Sequence, residues 1–346
     1  MTLSFVILFF QQCSKKETTL TLAETAVQPI LPAVPFNYLT AYPAFIQNAL
    51  SLNDNTPADN AITNNGATLG RVLFYDKQLS KTNTVSCGSC HKPETSFSDE
   101  AILSKGFNNG LTARHSMSLL NVRFYKSGKM FWDERAATLE KQILQPIQNT
   151  VEMGLTLTEL EDKVKALSYY RALFEKAFGS TQIDSVKIAK AVSQFIRSIV
   201  TFQSKYDQVK QGLATFTADE AAGEQLFITP PLPGGFACGG CHNPPMFITS
   251  APVAPFGFPD AADMGINNQN RFKSGSLRNI ALTAPYFHNG KIASLNAMLN
   301  GGPLGSPTHV PAHSVAPQDA PKLLAFLQSL TDNSVLTDIK FSDPFK

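Results

Sequence analysis

The chain has 346 residues, 43% of them hydrophobic and only 16% charged, which is enough apolar material for two cores and excludes bulk disorder. Lys plus Arg number 29 against 27 Asp plus Glu, and the net charge of +2 leaves no basic footprint for nucleic acid or an anionic membrane surface. No apolar run reaches the ~20 residues that a membrane span requires.

In chain order, residues 5–10 (FVILFF) form a short apolar run, and Cys13 follows it ahead of the polar Ser14-Lys15-Lys16. This reads as an export signal of a bacterial cell-envelope protein, with Cys13 as the lipid-attachment site of a lipoprotein. Gln12 before the cysteine and the lack of Lys or Arg before the run depart from the lipoprotein pattern. The plain alternative is an unstructured tail with a stray thiol. Residues 14–57 are rich in Thr, Ala and Pro with little periodicity, so 1–57 is expected to be signal and tether.

A helix is expected from about Ala67, where Leu69, Val72, Leu73 and Phe74 share a face. Thr156 and Glu159 form a capping box ahead of LTELEDKVKAL. Residues 185–202 place Val186, Ala189, Val192, Phe195, Ile196 and Ile199 on one stripe. Thr217 and Glu220 cap a helix running through Phe227, and residues 320–330 form a final amphipathic helix. Strand-like alternation is scarce, so the fold class is mostly α, with Pro/Gly loops at 229–235, 244–259 and 301–317.

Four of the five cysteines lie in two CxxCH units, Cys87-Gly88-Ser89-Cys90-His91 and Cys238-Gly239-Gly240-Cys241-His242. CxxCH is the attachment pattern of c-type haem. The two-residue spacer matches the distance between the haem vinyl groups, to which the thiols add, and the adjacent histidine reaches the iron. A redox dithiol needs no following histidine. A zinc site would have to pool the two units and leave their histidines idle. The amphipathic segments LGRVLFYDKQLS and AAGEQLFIT precede the two units, which implies two cytochrome c-like helical domains, 58–204 and 205–346. Each carries one covalent haem, with His91 and His242 as proximal iron ligands.

From about residue 58 onward the chain resembles the bacterial di-haem cytochrome c peroxidases, through LGRVLFYDKQLS, FWDERAATLEKQ, QPIQNTVEMG and SLRNIALTAPYFHNG. The resemblance implies reduction of hydrogen peroxide to water in the periplasm. Electrons from a small cytochrome c or cupredoxin enter at the C-terminal haem and reach the N-terminal, peroxide-binding haem through an aromatic residue, here Trp132. It also implies Glu152 as the distal acid and Gln142 as the distal amide, with a homodimer as a further expectation. Taken alone, Trp132 reads as a core residue and Glu152 as a surface carboxylate at a helix start. Two other readings stand beside this one. The first is a di-haem oxidant of a partner protein, as in the relative that matures the quinone cofactor of methylamine dehydrogenase. The second is a plain electron carrier, which would need no distal acid.

The chain departs from the family pattern at three places. Phe107 stands where many members carry a histidine capping the first iron, so the oxidised protein is expected to need no reductive priming; His115 is the substitute cap to weigh. His115 in turn stands where the family has an asparagine that binds calcium, leaving the carbonyls of Thr283 and Pro285 for that ion. Gly302 falls where the family has the distal methionine of the second haem. Met298, one helical turn earlier, is the candidate ligand, with His309, His313 and Met264 as rivals and an open or Tyr-like site as the remaining alternative.

Overall fold

The computed structural model describes residues 27–229, 238–248, 263–269, 271–301 and 315–346. Among them the only β-pairing is a few isolated bridges, and the architecture is helical. The helices that frame the site are α1 (Asn64–Tyr75), α2 (Leu139–Gln148), α3 (Leu157–Ala166), α4 (Ser168–Phe178), α5 (Ser185–Ser198), α6 (Ala218–Ile228), α7 (Leu295–Leu299) and α8 (Ala320–Gln328). Their starts follow side-chain capping. Thr63 caps α1, Thr156 and Thr217 make capping boxes with Glu159 and Glu220, and Asp184 caps α5.

Each half is built on one helix crossing. In the first, α1 packs on α5 around Phe74 and Phe195, whose rings meet at 5.3 Å. In the second, α6 packs on α8 around Phe227 and Phe326, at 5.2 Å. Both crossings rest on a glycine. A Cβ on Gly70 would lie 2.0 Å from the Ala191 carbonyl oxygen, and one on Gly223 would lie 2.1 Å from that of Lys322. Only a residue without a side chain lets the backbones approach so closely. The phenylalanines are fully buried, and each contributes roughly 1.5–3 kcal/mol by leaving water.

The buried apolar residues form two clusters, one running from Tyr38 to Phe202 and the other from Tyr206 to Leu330. Segments cross over, however. Met246, Ile248, Val335 and Phe341 belong to the first cluster although they follow Tyr206 in the chain. The C-terminal tail is tied down there by Arg71 Nε donating to Ser342 O (2.6 Å) and Tyr75 Oη donating to Phe341 O (2.6 Å). The stretch expected to be tether is also partly built in. Tyr38 is 2% exposed and donates its N–H to Asn64 Oδ1, and Ile46 and Leu50 are buried. A few aperiodic anchors suffice to dock such a segment, and no periodicity reveals them. Val186 is 60% exposed and falls outside the buried stripe of α5, which starts at Ile188. The signal, Cys13 and most of the three long loops lie outside the described residues.

Candidate haem sites and the seam between them

Cys87–Cys90 forms a single helical turn whose first N–H groups are satisfied by a capping box between Ser86 and Ser89. One turn is what places two thiols at i and i+3 on the same side. Both are unpaired, and burial pushes Cys87 up to about 12 and Cys90 up to about 11, with the Glu152 carboxylate adding to each. The pocket therefore favours uncharged sulfur, as in a thioether. His91 Nδ1 donates to the Phe97 carbonyl (3.0 Å), and burial holds the imidazole below its usual pKa. A neutral ring with its proton fixed on Nδ1 offers Nε2 to a metal. These donors fit a covalent haem and an iron ligand.

The second unit repeats the design. Cys238–Cys241 forms one turn with both thiols unpaired, and burial raises their pKa. His242 Nδ1 lies 3.1 Å from Ser274 Oγ. Among the described residues no three His, Cys, Asp or Glu side chains converge as a metal site, so the two units do not pool their ligands as zinc would need.

Glu152 follows α2 in a turn where Asn149 Oδ1 accepts its N–H (3.2 Å). Burial raises its pKa, opposed by the charge of Arg135. The Phe107 N–H donates to the Glu152 carbonyl (3.0 Å), so the loop carrying Phe107 lies on the turn carrying the acid. Gln142 sits half-buried on α2. His115 is buried with Nδ1 facing the carbonyls of Ala101 (3.1 Å) and Ile102 (3.2 Å), and Nε2 is 3.4 Å from Ser98 Oγ. Its ring is thus engaged by the loop after the first unit. Met298 packs against the second core, whereas Met264 is 37% exposed. Gly302, His309 and His313 lie outside the described residues.

Trp132 lies in a seam between the halves. Its Nε1–H donates to His115 O (2.8 Å), and its ring meets His288 edge to face with centroids 6.5 Å apart. His288 stacks on Phe272 at 3.7 Å, with the planes 8° apart. Lys273 donates its N–H to Trp132 O (2.7 Å) and its buried ammonium to Lys129 O, with Nζ 3.6 Å from the Tyr125 ring centroid. Burial lowers this amine to about 7. Arg114 ties the seam by pairing with both Asp133 and Asp263, each at 2.7 Å.

His288, Lys273, Ser274 and Phe272 were not singled out from sequence, yet a signal for them exists. Residues 114–121 (RHSMSLLN) match 272–279 (FKSGSLRN) without gaps, and 131–143 (FWDERAATLEKQI) match 287–299 (FHNGKIASLNAML). The structure repeats accordingly. Asn121 and Asn279 both adopt the left-handed conformation, at φ 57° and 58°, and Phe131 and Phe287 share φ 71° and 70°. Met130 donates its N–H to Ala136 O and Tyr286 to Ile292 O, both at 2.8 Å. Thr138 caps α2 as Ser294 caps α7. Trp132 therefore corresponds to His288, His115 to Lys273, and Gln142 to Met298.

Two helical halves, each with a one-turn CxxC helix and an anchored histidine, define a c-type cytochrome architecture with two sites. Comparison with known proteins narrows the class. The sequence profile described as di-haem cytochrome c peroxidase matches residues 64–215. The chain is 34% identical over 241 residues to cytochrome c551 peroxidase of Nitrosomonas europaea, covering 66% of this chain and 70% of that protein. It is 30% identical over 261 residues to the methylamine utilization protein MauG of Methylophilus methylotrophus, covering 70% and 73%. The crystal structure of a MauG-like protein associated with microbial copper homeostasis superposes with a TM-score of 0.73 at 29% identity, over 89% of this chain and 99% of that one. The chain belongs to the di-haem cytochrome c peroxidase family, and membership implies two c-type haems.

Proposed function

We propose that this protein reduces hydrogen peroxide to water, taking two electrons and two protons per peroxide, with a small periplasmic cytochrome c or cupredoxin as donor. The observation that carries this reading is Glu152, a half-buried carboxyl whose charge helps to raise the Cys87 and Cys90 thiols, as a group beside the first CxxCH unit does. Bound at the two CxxCH units, the haems would supply the electron exchange. Glu152 accepts the proton from the near oxygen of peroxide and returns one to the departing oxygen, the work of a carboxyl whose burial brings its pKa toward neutrality. Gln142 orients peroxide beside it. Trp132, in the seam between the halves, is the aromatic residue that would lie on an electron path between haems held at the two units.

An iron held by His91 would be capped neither by Phe107, which cannot ligate, nor by His115, whose two ring nitrogens both face protein oxygens. For the second iron, Met298 holds the place that Gln142 holds in the first half, which supports Met298 as the distal ligand. The N-terminal run and Cys13 support a location in the cell envelope with a lipid anchor.

The identity to MauG, close to that to the peroxidases, favours a second reading, a di-haem oxidant of a partner protein. Steady-state turnover with peroxide and a reduced cytochrome c or cupredoxin separates the two. Rapid donor oxidation coupled to peroxide loss is expected. Peroxide consumption without donor oxidation would favour the partner-protein oxidant, and no reaction with peroxide would leave an electron carrier.

A further inference from the structure

The repeat places the two proximal histidines in comparable frames, and their partners differ. His91 Nδ1 donates to a main-chain carbonyl, that of Phe97, at 3.0 Å. His242 Nδ1 meets a side-chain hydroxyl, Ser274 Oγ, at 3.1 Å. The counterpart of Ser274 in the first half is Ser116, whose hydroxyl pairs with Ser104 Oγ at 2.8 Å instead. Ser274 is held from both sides. Its carbonyl accepts from Tyr125 Oη (2.8 Å), and the preceding residue, Lys273, donates its N–H to Trp132 O (2.7 Å). The hydroxyl thus stands on a three-residue strap, Phe272 to Ser274, that reaches from the His288 ring through the Trp132 loop to His242.

An acceptor on Nδ1–H makes the imidazole a stronger electron donor to its metal, and outer partners of this kind tune ligand basicity and redox potential. A peptide carbonyl is a stronger acceptor than a hydroxyl, so the carbonyl favours the oxidised iron more. We propose that Ser274 is the positioning residue of the second proximal histidine, and that its hydroxyl, standing where His91 has a carbonyl, sets the second iron at a higher reduction potential than the His91 pattern would give. This deepens the proposed electron path, because the higher-potential site is the one that takes electrons from a donor. It rests on the reading of His242 as an iron ligand.

The test uses the full holoprotein. Haem content is measured first as the pyridine haemochrome, and the potentials of both haems are then resolved by spectroscopic redox titration. Ser274→Asp supplies a stronger acceptor and is expected to lower the second potential by on the order of tenfold in the reduction equilibrium, about 59 mV for one electron. Ser274→Ala removes this hydroxyl and is expected to raise it, while Ser274→Thr keeps the wild-type value and the first haem stays unmoved in all three. Shifts of one sign in both Asp and Ala variants, or no shift in either with two haems bound, would overturn the role of Ser274. A wild-type protein carrying fewer than two haems would overturn the haem reading itself.

Discussion

Trp132 and His288 stand at corresponding places in the two repeated loops and meet edge to face, their ring centroids 6.5 Å apart. The main chain around them is exchanged in the same reciprocal way. His115, from the first half, donates its N–H to His288 O at 2.7 Å, and its counterpart Lys273 donates to Trp132 O at 2.7 Å. A loop of each half is thereby fixed by a hydrogen bond from the other. Such pairing satisfies polar main chain where burial would otherwise make it costly, and it holds the indole in one orientation.

Replacement of Trp132 by Phe keeps an aromatic ring but removes the indole N–H that donates to His115 O (2.8 Å). Stability is expected to fall by about 0.5–1.5 kcal/mol, the net worth of one hydrogen bond. Donor-driven turnover is expected to slow about tenfold, equal to about 1.4 kcal/mol of barrier. The reaction of fully reduced protein with one equivalent of peroxide, followed by stopped flow, stays near the wild-type rate. An equal loss in both measurements would place Trp132 in the peroxide pocket rather than on the electron route.

The legible features are local ones. Caps at Thr156 and Thr217, the α5 stripe beyond Val186 and both CxxCH units each occupy a few consecutive residues, so spacing alone exposes them. The seam is a different matter, because its bonds run between main-chain groups more than a hundred residues apart and leave no mark on side-chain periodicity. The docking of Tyr38 and Phe341 against Phe195 is equally non-local. The internal repeat was the available clue. Its identities are few, but Asn121 and Asn279 recur because a left-handed residue is needed before each 3₁₀ turn, and asparagine tolerates that conformation.

A buried ion pair within the second half stands against Phe202 of the first. Asp207 and Arg278 are fully buried and joined in parallel at 2.8 and 2.9 Å, with Ser204 Oγ donating to Asp207 Oδ2 and Arg278 stacked 4.5 Å from the Phe202 ring. Asp207→Ala leaves the buried guanidinium without its carboxylate, keeping the Pro245 carbonyl (2.7 Å) as an acceptor for Nη2. Breaking one side of such a pair costs about 3–5 kcal/mol, so a large drop in the unfolding midpoint in urea is expected. Arg278→Lys cannot restore the parallel pairing and should recover little of it. A loss under about 1 kcal/mol would mean that water reaches the site and compensates the charge.

Haem attachment is tested by counting. Mass spectrometry of protein made in a periplasm with haem-maturation machinery is expected to give two haem additions on the wild-type chain. Cys87→Ala with Cys90→Ala, and Cys238→Ala with Cys241→Ala, should each remove one addition. A wild-type mass equal to the bare polypeptide would end the haem reading.

Glu152 offers the sharpest separation of activity from stability. Burial raises its pKa in the folded protein, against the pull of Arg135. Its stabilising contribution is therefore fully present below the unfolded carboxyl pKa and is lost as pH rises through the folded one. At neutral pH the carboxylate is a net burden on the fold, so Glu152→Gln, which cannot ionise, is expected to melt at a higher temperature than wild type there. The advantage should vanish in acid, where the wild-type carboxyl is protonated. Activity runs the other way. A proton acceptor works only as the carboxylate, so the wild-type reaction with peroxide should fall as pH drops through the raised pKa. Glu152→Gln loses the acceptor at every pH and is expected to be slower by about 10²–10⁴-fold, or roughly 3–5 kcal/mol. Differential scanning calorimetry and stopped-flow mixing with peroxide across the same pH series read both effects. If the variant cleaves peroxide within a few-fold of wild type, another carboxyl or water carries the proton, and Glu152 is a half-buried acid without a catalytic task.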